Sequence, residues 1–242
     1  MFRIGYCAGV GIQTPGRQGD PEMILPNMLR ATALAALAVA SLAGAAHAGG
    51  FAIREQSAEY QGMSFAGSAA GGGGLSGMFW NPAVLGEFEG FQTDSNYSLI
   101  APYAKVTNAA GTSSSGNMGQ LALVPASYMS YQLSEDLVAG FSMNAPFGLG
   151  NKTDYFWAGQ RLNRKSKLQT YNGQFALAYN LSPELTIGGG LLVEYISADL
   201  RAAIGPGASP SAYIEGDDIG VGFSGGVTWK PVEGTHVGLG YR

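Results

Sequence analysis

Large apolar side chains alternate with small or polar ones along much of this chain, in runs set apart by short polar turns about fifty residues from one another. The turns are Leu133-Ser-Glu-Asp136, Leu181-Ser-Pro-Glu184 and Lys230-Pro-Val-Glu-Gly-Thr235, and a longer polar or Gly-rich stretch lies between each pair. From Tyr171 to Leu181 the odd positions are Tyr171, Gly173, Phe175, Leu177, Tyr179 and Leu181, against Asn172, Gln174, Ala176, Ala178 and Asn180. The run from Asp217 to Trp229 repeats the pattern, with Ile219, Val221, Phe223, Val227 and Trp229 on one phase. Period two means strands, with one face suited to lipid and the other to a polar or crowded interior. Short turns alternating with long loops are the signature of an antiparallel outer-membrane β-barrel, with its long loops outside. The segments 121–133, 137–147 and 185–197 alternate less cleanly, but each is long enough to cross a bilayer as a tilted strand of about ten residues. A soluble β-sandwich would also alternate; it uses shorter strands, of about five or six residues.

Composition agrees. The chain is 46% apolar and only 12% charged, against about 25% charged for soluble domains. No apolar run after residue 48 reaches the eighteen or so residues of a spanning helix, so any crossing must be made by strands. The slightly acidic balance and the lack of a basic helix or aromatic RNA-binding signature exclude a nucleic-acid partner.

From Met28 the sequence carries a positive residue, an apolar stretch and an Ala46-His47-Ala48 cleavage site. Residues 28–48 therefore read as a secretory signal peptide, and residues 1–27 as an over-extended start. The only cysteine, Cys7, lies in that leader, which leaves the expected mature chain without a disulfide, a thiolate metal site or a cysteine nucleophile. Of the two histidines, His47 falls in the signal, and His236 has no carboxylate or serine partner at a recognised spacing. Gly71 to Gly74 is followed by Leu-Ser-Gly, not the Gly-Lys-Ser/Thr of a phosphate loop. Asp217 and Asp218 sit on opposite faces of a strand and read as a solvated strand end. No cofactor, metal site or catalytic residue is expected, and an outer-membrane lipase is disfavoured because it needs a serine and histidine on neighbouring strands. Glu194 is expected to point into the lumen, either lining a passage or pairing with an arginine such as Arg54.

Between Gly49 and about Gly90 small residues predominate, ending in Phe79-Trp80-Asn81-Pro82-Ala83. The segment is too long for a connector and so reads as functional. Gly50-Phe-Ala-Ile-Arg-Glu-Gln-Ser57, the small-residue run and Asn81-Pro82-Ala83 resemble the N-terminal hatch of the FadL (OMPP1/FadL/TodX) family of outer-membrane transporters for long-chain fatty acids and aromatic hydrocarbons. The similarity continues through Pro125-Ala-Ser-Tyr128, Asn144-Ala-Pro-Phe-Gly148, Trp157-Ala-Gly159, Lys167-Leu-Gln-Thr170, Ala178-Tyr179-Asn180, Leu185-Thr-Ile-Gly188 and Gly238-Leu-Gly-Tyr-Arg242.

The resemblance implies a fourteen-stranded barrel plugged by a hatch over residues 49–90, with substrate leaving sideways into the membrane through an inward kink of the third strand. It places that kink, the lateral gate, at Pro146, Phe147 and Gly148, with the hatch motif Asn81, Pro82 and Ala83 against it and the Asn81 amide satisfying freed backbone groups. Proline and glycine should interrupt strand pairing there; from the residues alone, Pro146 and Gly148 read first as the start of an external loop. Residues 91–242 hold about seven strand candidates of the fourteen, and the chain stops at Tyr241-Arg242 inside one. It therefore reads as the N-terminal half of a longer product, a monomer when complete.

The stretch 151–167 holds Lys152, Arg161, Arg164, Lys165 and Lys167, five of the ten basic residues after residue 48, beside Tyr155, Phe156 and Trp157. Phe156, Trp157, Arg161, Arg164 and Lys165 are the candidate substrate-binding residues, since an apolar platform beside cations suits an amphiphile with an anionic head. The alternative is that the cations meet lipopolysaccharide and the aromatics belong to an interface girdle. The expected partners are a hydrophobic small molecule, outer-membrane lipid and lipopolysaccharide, and the barrel assembly machinery. The function expected is passive transport of hydrophobic molecules across the outer membrane; the alternative is a general porin or a structural barrel.

Overall fold

The computed structural model describes residues 49–242. The leader and signal-peptide readings, 1–27 and 28–48, lie outside the described residues. A single 3-10 turn, Gly49–Phe51, precedes the compact unit that begins at Ala52.

Within that unit one antiparallel sheet is formed by β1 (Phe91–Ile100), β2 (Ala122–Gln132), β3 (Leu137–Asn144), β4 (Gly148–Lys152), β5 (Lys165–Ser182), β6 (Leu185–Ala203), β7 (Ser211–Val232) and β8 (Thr235–Tyr241). The order is β1-β2-β3-β5-β6-β7-β8, with β4 pairing β5 beyond the end of β3. The eight strands therefore fill seven places, and together they make a half-barrel. The three short turns lie at one end, between β2 and β3, β5 and β6, and β7 and β8; loops 101–121, 153–164 and 204–210 lie at the other. Local chemistry closes the short turns. Ser182 Oγ accepts from the Glu184 amide at 3.3 Å and donates to its carboxylate at 2.9 Å, and Gly234 supplies a φ of 79° at the β7–β8 turn, where a residue with a Cβ would be strained.

The alternation sorts the two faces of the sheet. Phe175 is 68% exposed and Val221 79%, with Leu177, Leu191, Val193, Ile219 and Phe223 also exposed on the outward face. On the other phase of β5, Asn172, Gln174, Ala176 and Ala178 are buried. Phe141 packs on Phe175 across the β3–β5 pair with ring centroids 4.7 Å apart. Exposed Tyr171 and Tyr195, directly opposite each other, mark one edge of the apolar band, and exposed Tyr179 and Trp229 mark the other. Their separation is on the order of 20 Å at ~3.3 Å per residue and a tilt near 40°. That fits the hydrocarbon of an outer membrane and would be an aggregating surface in water.

The segment ahead of β1 carries a short helix, α1 (Ala58–Gly62), and 3-10 turns at Leu75–Phe79 and Pro82–Glu87. Leu75, Met78 and Leu85 from these turns bury themselves against Ala126, Tyr128, Val138, Ala176 and Ala178 on the inward face of β2, β3 and β5. Small residues on the sheet meeting large ones on the segment let the two approach closely.

A charge on the outward face should be costly where one on the inward face is not. Val221→Arg is expected to destabilise the protein by about 2–4 kcal/mol in urea-dependent folding into lipid vesicles. Gly220→Ser, which points the other way into open space, should shift it by less than about 0.5 kcal/mol.

Candidate functional site

Pro146 has no N–H to give a ladder, and the sheet is interrupted there. β3 pairs β5 as far as Asn144 opposite Asn172, and β4 resumes at Gly148 opposite Gln169. Three residues, 145–147, thus face the two at 170–171, which is a β-bulge. The other neighbour responds more strongly. β2 pairs β3 only from Ala126 opposite Asn144 onward, and residues 122–125 pair β1 alone. The strands meet again through the Gly119–Asn151 bridge and a 3.0 Å bond from the Lys152 amide to the Met118 carbonyl. A slot between β2 and β4 is bounded at both ends by these contacts.

A cavity of about 810 Å³ occupies the slot. Its wall includes Ile53, Val124 and Thr170 from the inward side and Leu123, Gln169 and Tyr171 from the outward phase, so it reaches both faces of the sheet. The charged side chains lining it are Lys152, Lys165 and Lys167.

The backbone groups freed at residues 145–147 are satisfied. The Ile53 amide donates to the Pro146 carbonyl at 2.8 Å, and Ala52 bridges Phe147. Gln56 Nε2 donates to the Ala145 carbonyl at 2.8 Å. The Phe147 amide donates to Thr170 Oγ1 at 2.9 Å, and the Phe147 carbonyl accepts from the Thr170 amide at 3.2 Å. Tyr128 holds Gln56 in place by donating to its carbonyl at 2.8 Å.

This corrects the expected role of Asn81. Asn81 caps its own turn, its Oδ1 accepting from the Ala83 amide at 2.9 Å. Its Nδ2 donates to the carbonyls of Ala69 at 2.7 Å and Val227 at 3.0 Å. Asn81, Pro82 and Ala83 are buried on a groove floored by Gly188, Gly226 and Gly240, which lie opposite one another across β6, β7 and β8. A Cβ at Gly188 would stand 2.4 Å from the Ala83 nitrogen, and one at Gly240 2.0 Å from the Trp80 carbonyl oxygen. The motif therefore sits on β6–β8 and not against the interrupted strand. Gly148 opens β4 just past the interruption. Its φ is not positive, and its missing Cβ instead makes room for Ile53 Cδ1, 2.6 Å from where that carbon would be.

Two of the expected substrate-binding residues in the loop remain on the surface. Phe156 is exposed, edge-on to Tyr155 with centroids 5.0 Å apart, and Arg161 is exposed. The other three are engaged in structure. Arg164 is buried, donating to the Ser209 carbonyl at 2.9 Å, Ser211 Oγ at 2.7 Å and Gln160 Oε1 at 2.6 Å, and lies 3.9 Å from the Tyr155 ring centroid. Trp157 donates to the Asn163 carbonyl at 3.0 Å. Lys165 pairs with Asp199.

Glu194 faces inward opposite Asn172, while Arg54 lies 5.9 Å from the Phe65 ring centroid. His236 does have a carboxylate neighbour, Glu87, at 3.6 Å, and Lys230 reaches the same oxygen at 3.0 Å. Burial and the charges of Glu87 and Glu59 push the Tyr60 phenol well above its usual range. The residues that sequence reasoning missed are Ile53, Gln56 and Thr170. Gln56 and Thr170 meet partners 89 and 23 residues away, and no local period marks such pairs.

Residues 39–242 match the family described as outer membrane protein transport protein (OMPP1/FadL/TodX). The chain is 25% identical over 222 residues to a long-chain fatty acid transport protein of Escherichia coli, covering 80% of this chain and 50% of that protein. It is 25% identical over 209 residues to a 47 kDa outer membrane protein of Pasteurella multocida, covering 79% and 49%. The chain thus spans about half the length of these relatives. In structure it resembles a Pseudomonas aeruginosa FadL homologue with a TM-score of 0.65 at 17% identity, covering 79% of this chain and 52% of that one. It resembles the Ralstonia pickettii toluene transporter TbuX at 0.56 and 23%, covering 70% and 52%.

The glycine floor generates a test. Gly188→Leu should lift residues 81–83 from the sheet, so that limited proteolysis cuts within residues 64–74 faster than in the parent, while heat-modifiable migration still reports a folded barrel. Unaltered cleavage would show that the segment does not depend on this seat.

Proposed function

The chain belongs to the OMPP1/FadL/TodX family of outer-membrane transport proteins, and on that premise we propose that it forms part of a passive route for hydrophobic molecules, with a lateral exit between β2 and β4. The cavity that reaches both faces of the sheet at the break carries this reading. An apolar solute gains nothing by emerging into aqueous periplasm, since about 25 cal/mol per Å² of apolar surface favours its staying out of water. A route that ends sideways in hydrocarbon avoids that loss. Residues 49–90 act as the hatch, seated by Asn81 on the glycine floor, and residues 52–56 hold the break in its open form. Its substrates are long-chain fatty acids or aromatic hydrocarbons, the compounds named for the relatives from Escherichia coli and Ralstonia pickettii. At the loop end, Phe156 and Arg161 offer the first apolar and cationic contact.

Joining β3 to β4 should close the route. Replacing Ala145, Pro146 and Phe147 by two valines removes the bulge residue and restores pairing between β2 and the joined strand. Uptake of labelled oleate or toluene by cells lacking other transporters of this kind should then fall by at least about tenfold at equal surface levels, equivalent to about 1.4 kcal/mol. Undiminished uptake by the well-assembled variant would remove the lateral route, and equal loss of small hydrophilic solutes would indicate a general pore. Phe156→Ala should weaken uptake at low substrate concentration by about threefold, in line with losing part of one aromatic contact, and leave the saturated rate unchanged.

A further inference from the structure

The cations at the loop end of the sheet are arranged in a way that the transport reading does not use. Lys152 on β4 lies directly opposite Lys165 on β5, and Lys165 directly opposite Arg201 on β6. Lys167 lies one step nearer the membrane, opposite Asp199. All four belong to the outward phase of their strands, the phase of Tyr171 and Phe175. Like charges directly opposite one another in a sheet repel, yet three stand in one row here. Asp199 relieves part of this by bonding both Lys165 and Arg201, the latter at 2.8 Å. Among the described residues Lys152 and Lys167 have no ion-pair partner. Glu215 on β7 lies opposite Asp199 and also acts on Arg201, so the two cations of the cluster left for a further anion are Lys152 and Lys167.

Its height says where that anion would come from. Lys167 is four residues beyond Tyr171, at the edge of the apolar band, or about 10 Å above it after strand tilt. That is the headgroup layer on the long-loop side of the barrel, the outer leaflet. Below the cations, exposed Tyr171, Tyr195 and Val193, all on the outward phase, present an apolar face on which acyl chains can lie.

We propose that Lys152, Lys165, Lys167 and Arg201 form a binding site for the phosphate groups of an outer-leaflet glycolipid, with its acyl chains along β5 and β6. Because Lys152, Lys165 and Lys167 also line the cavity, the lipid head sits at the outer mouth of the slot. The inference rests on the orientation of the barrel and not on the transport reading.

The test uses the whole chain, folded in detergent, with native mass spectrometry to count retained lipid. The probes are bis-phosphorylated lipid A and the same lipid with both phosphates removed. The parent protein should retain the phosphorylated lipid at least about tenfold more strongly, and Lys152→Gln with Lys167→Gln should abolish the preference, while the Lys152→Arg, Lys167→Arg pair keeps it. Heat-modifiable migration checks folding of each variant. Equal retention of the two lipids by the parent overturns the proposal without any variant, as does an undiminished preference in the folded glutamine pair. Displacement of lipid A by oleate at equal concentration also overturns it, because the lysines would then be reading a substrate carboxylate. None of these outcomes bears on uptake through the break, which the joined-strand variant tests separately.

Discussion

Backbone groups in hydrocarbon have no water to fall back on, and each one left unpaired costs several kcal/mol. This constraint governs the one place where the sheet is discontinuous. A proline in the third strand position removes a donor and adds a bulge, leaving the carbonyls of residues 145–147 and the Phe147 amide without ladder partners. Four such groups would cost on the order of 10 kcal/mol, comparable to the whole stability of an ordinary domain, about 5–15 kcal/mol. The break persists because Ile53, Gln56 and Thr170 replace the missing partners. Residues 52–56 therefore take the place of a strand at residues 145–147, beside the slot.

A second contact fixes the segment that makes this possible. Asn81, Pro82 and Ala83 lie on a floor from which side chains are absent, Gly188, Gly226 and Gly240. The Asn81 amide ties this seat to β7, and Glu87 ties the end of the segment to Lys230 and His236. The segment is anchored on β6–β8 at one end and on the break at the other, across the inward faces of β2, β3 and β5, where Leu75, Met78 and Leu85 pack. The same segment thus carries both the glycine seat and the residues that satisfy the break.

The loop between β4 and β5 shows how one stretch of sequence can divide its labour. Its cations and aromatics are close in sequence, and from composition they all look available. In the structure Arg164 serves as a hub, holding Gln160, Ser209 and Ser211 and stacking on Tyr155. A buried guanidinium with that many partners is a brace, since freeing it for a ligand would leave those groups unpaired at about 1–3 kcal/mol each. Phe156 and Arg161 stand outside the brace.

The sequence by itself determined the class of fold, the phase of β5 and β7 and the short turns, because each rests on a local rule: a two-residue period or a turn-forming pair; the interruption at Pro146 it marked only through resemblance. It also marked Asn81-Pro82-Ala83 as a unit through resemblance. Only the tertiary structure decided what satisfies the interruption, where that unit sits and which loop cations are already engaged. Those outcomes depend on residues far apart in the chain, such as Gln56 and Ala145 or Asn81 and Val227, brought together by sheet register. Register is a property of paired strands, and no single stretch of sequence encodes which distant carbonyl an amide will meet.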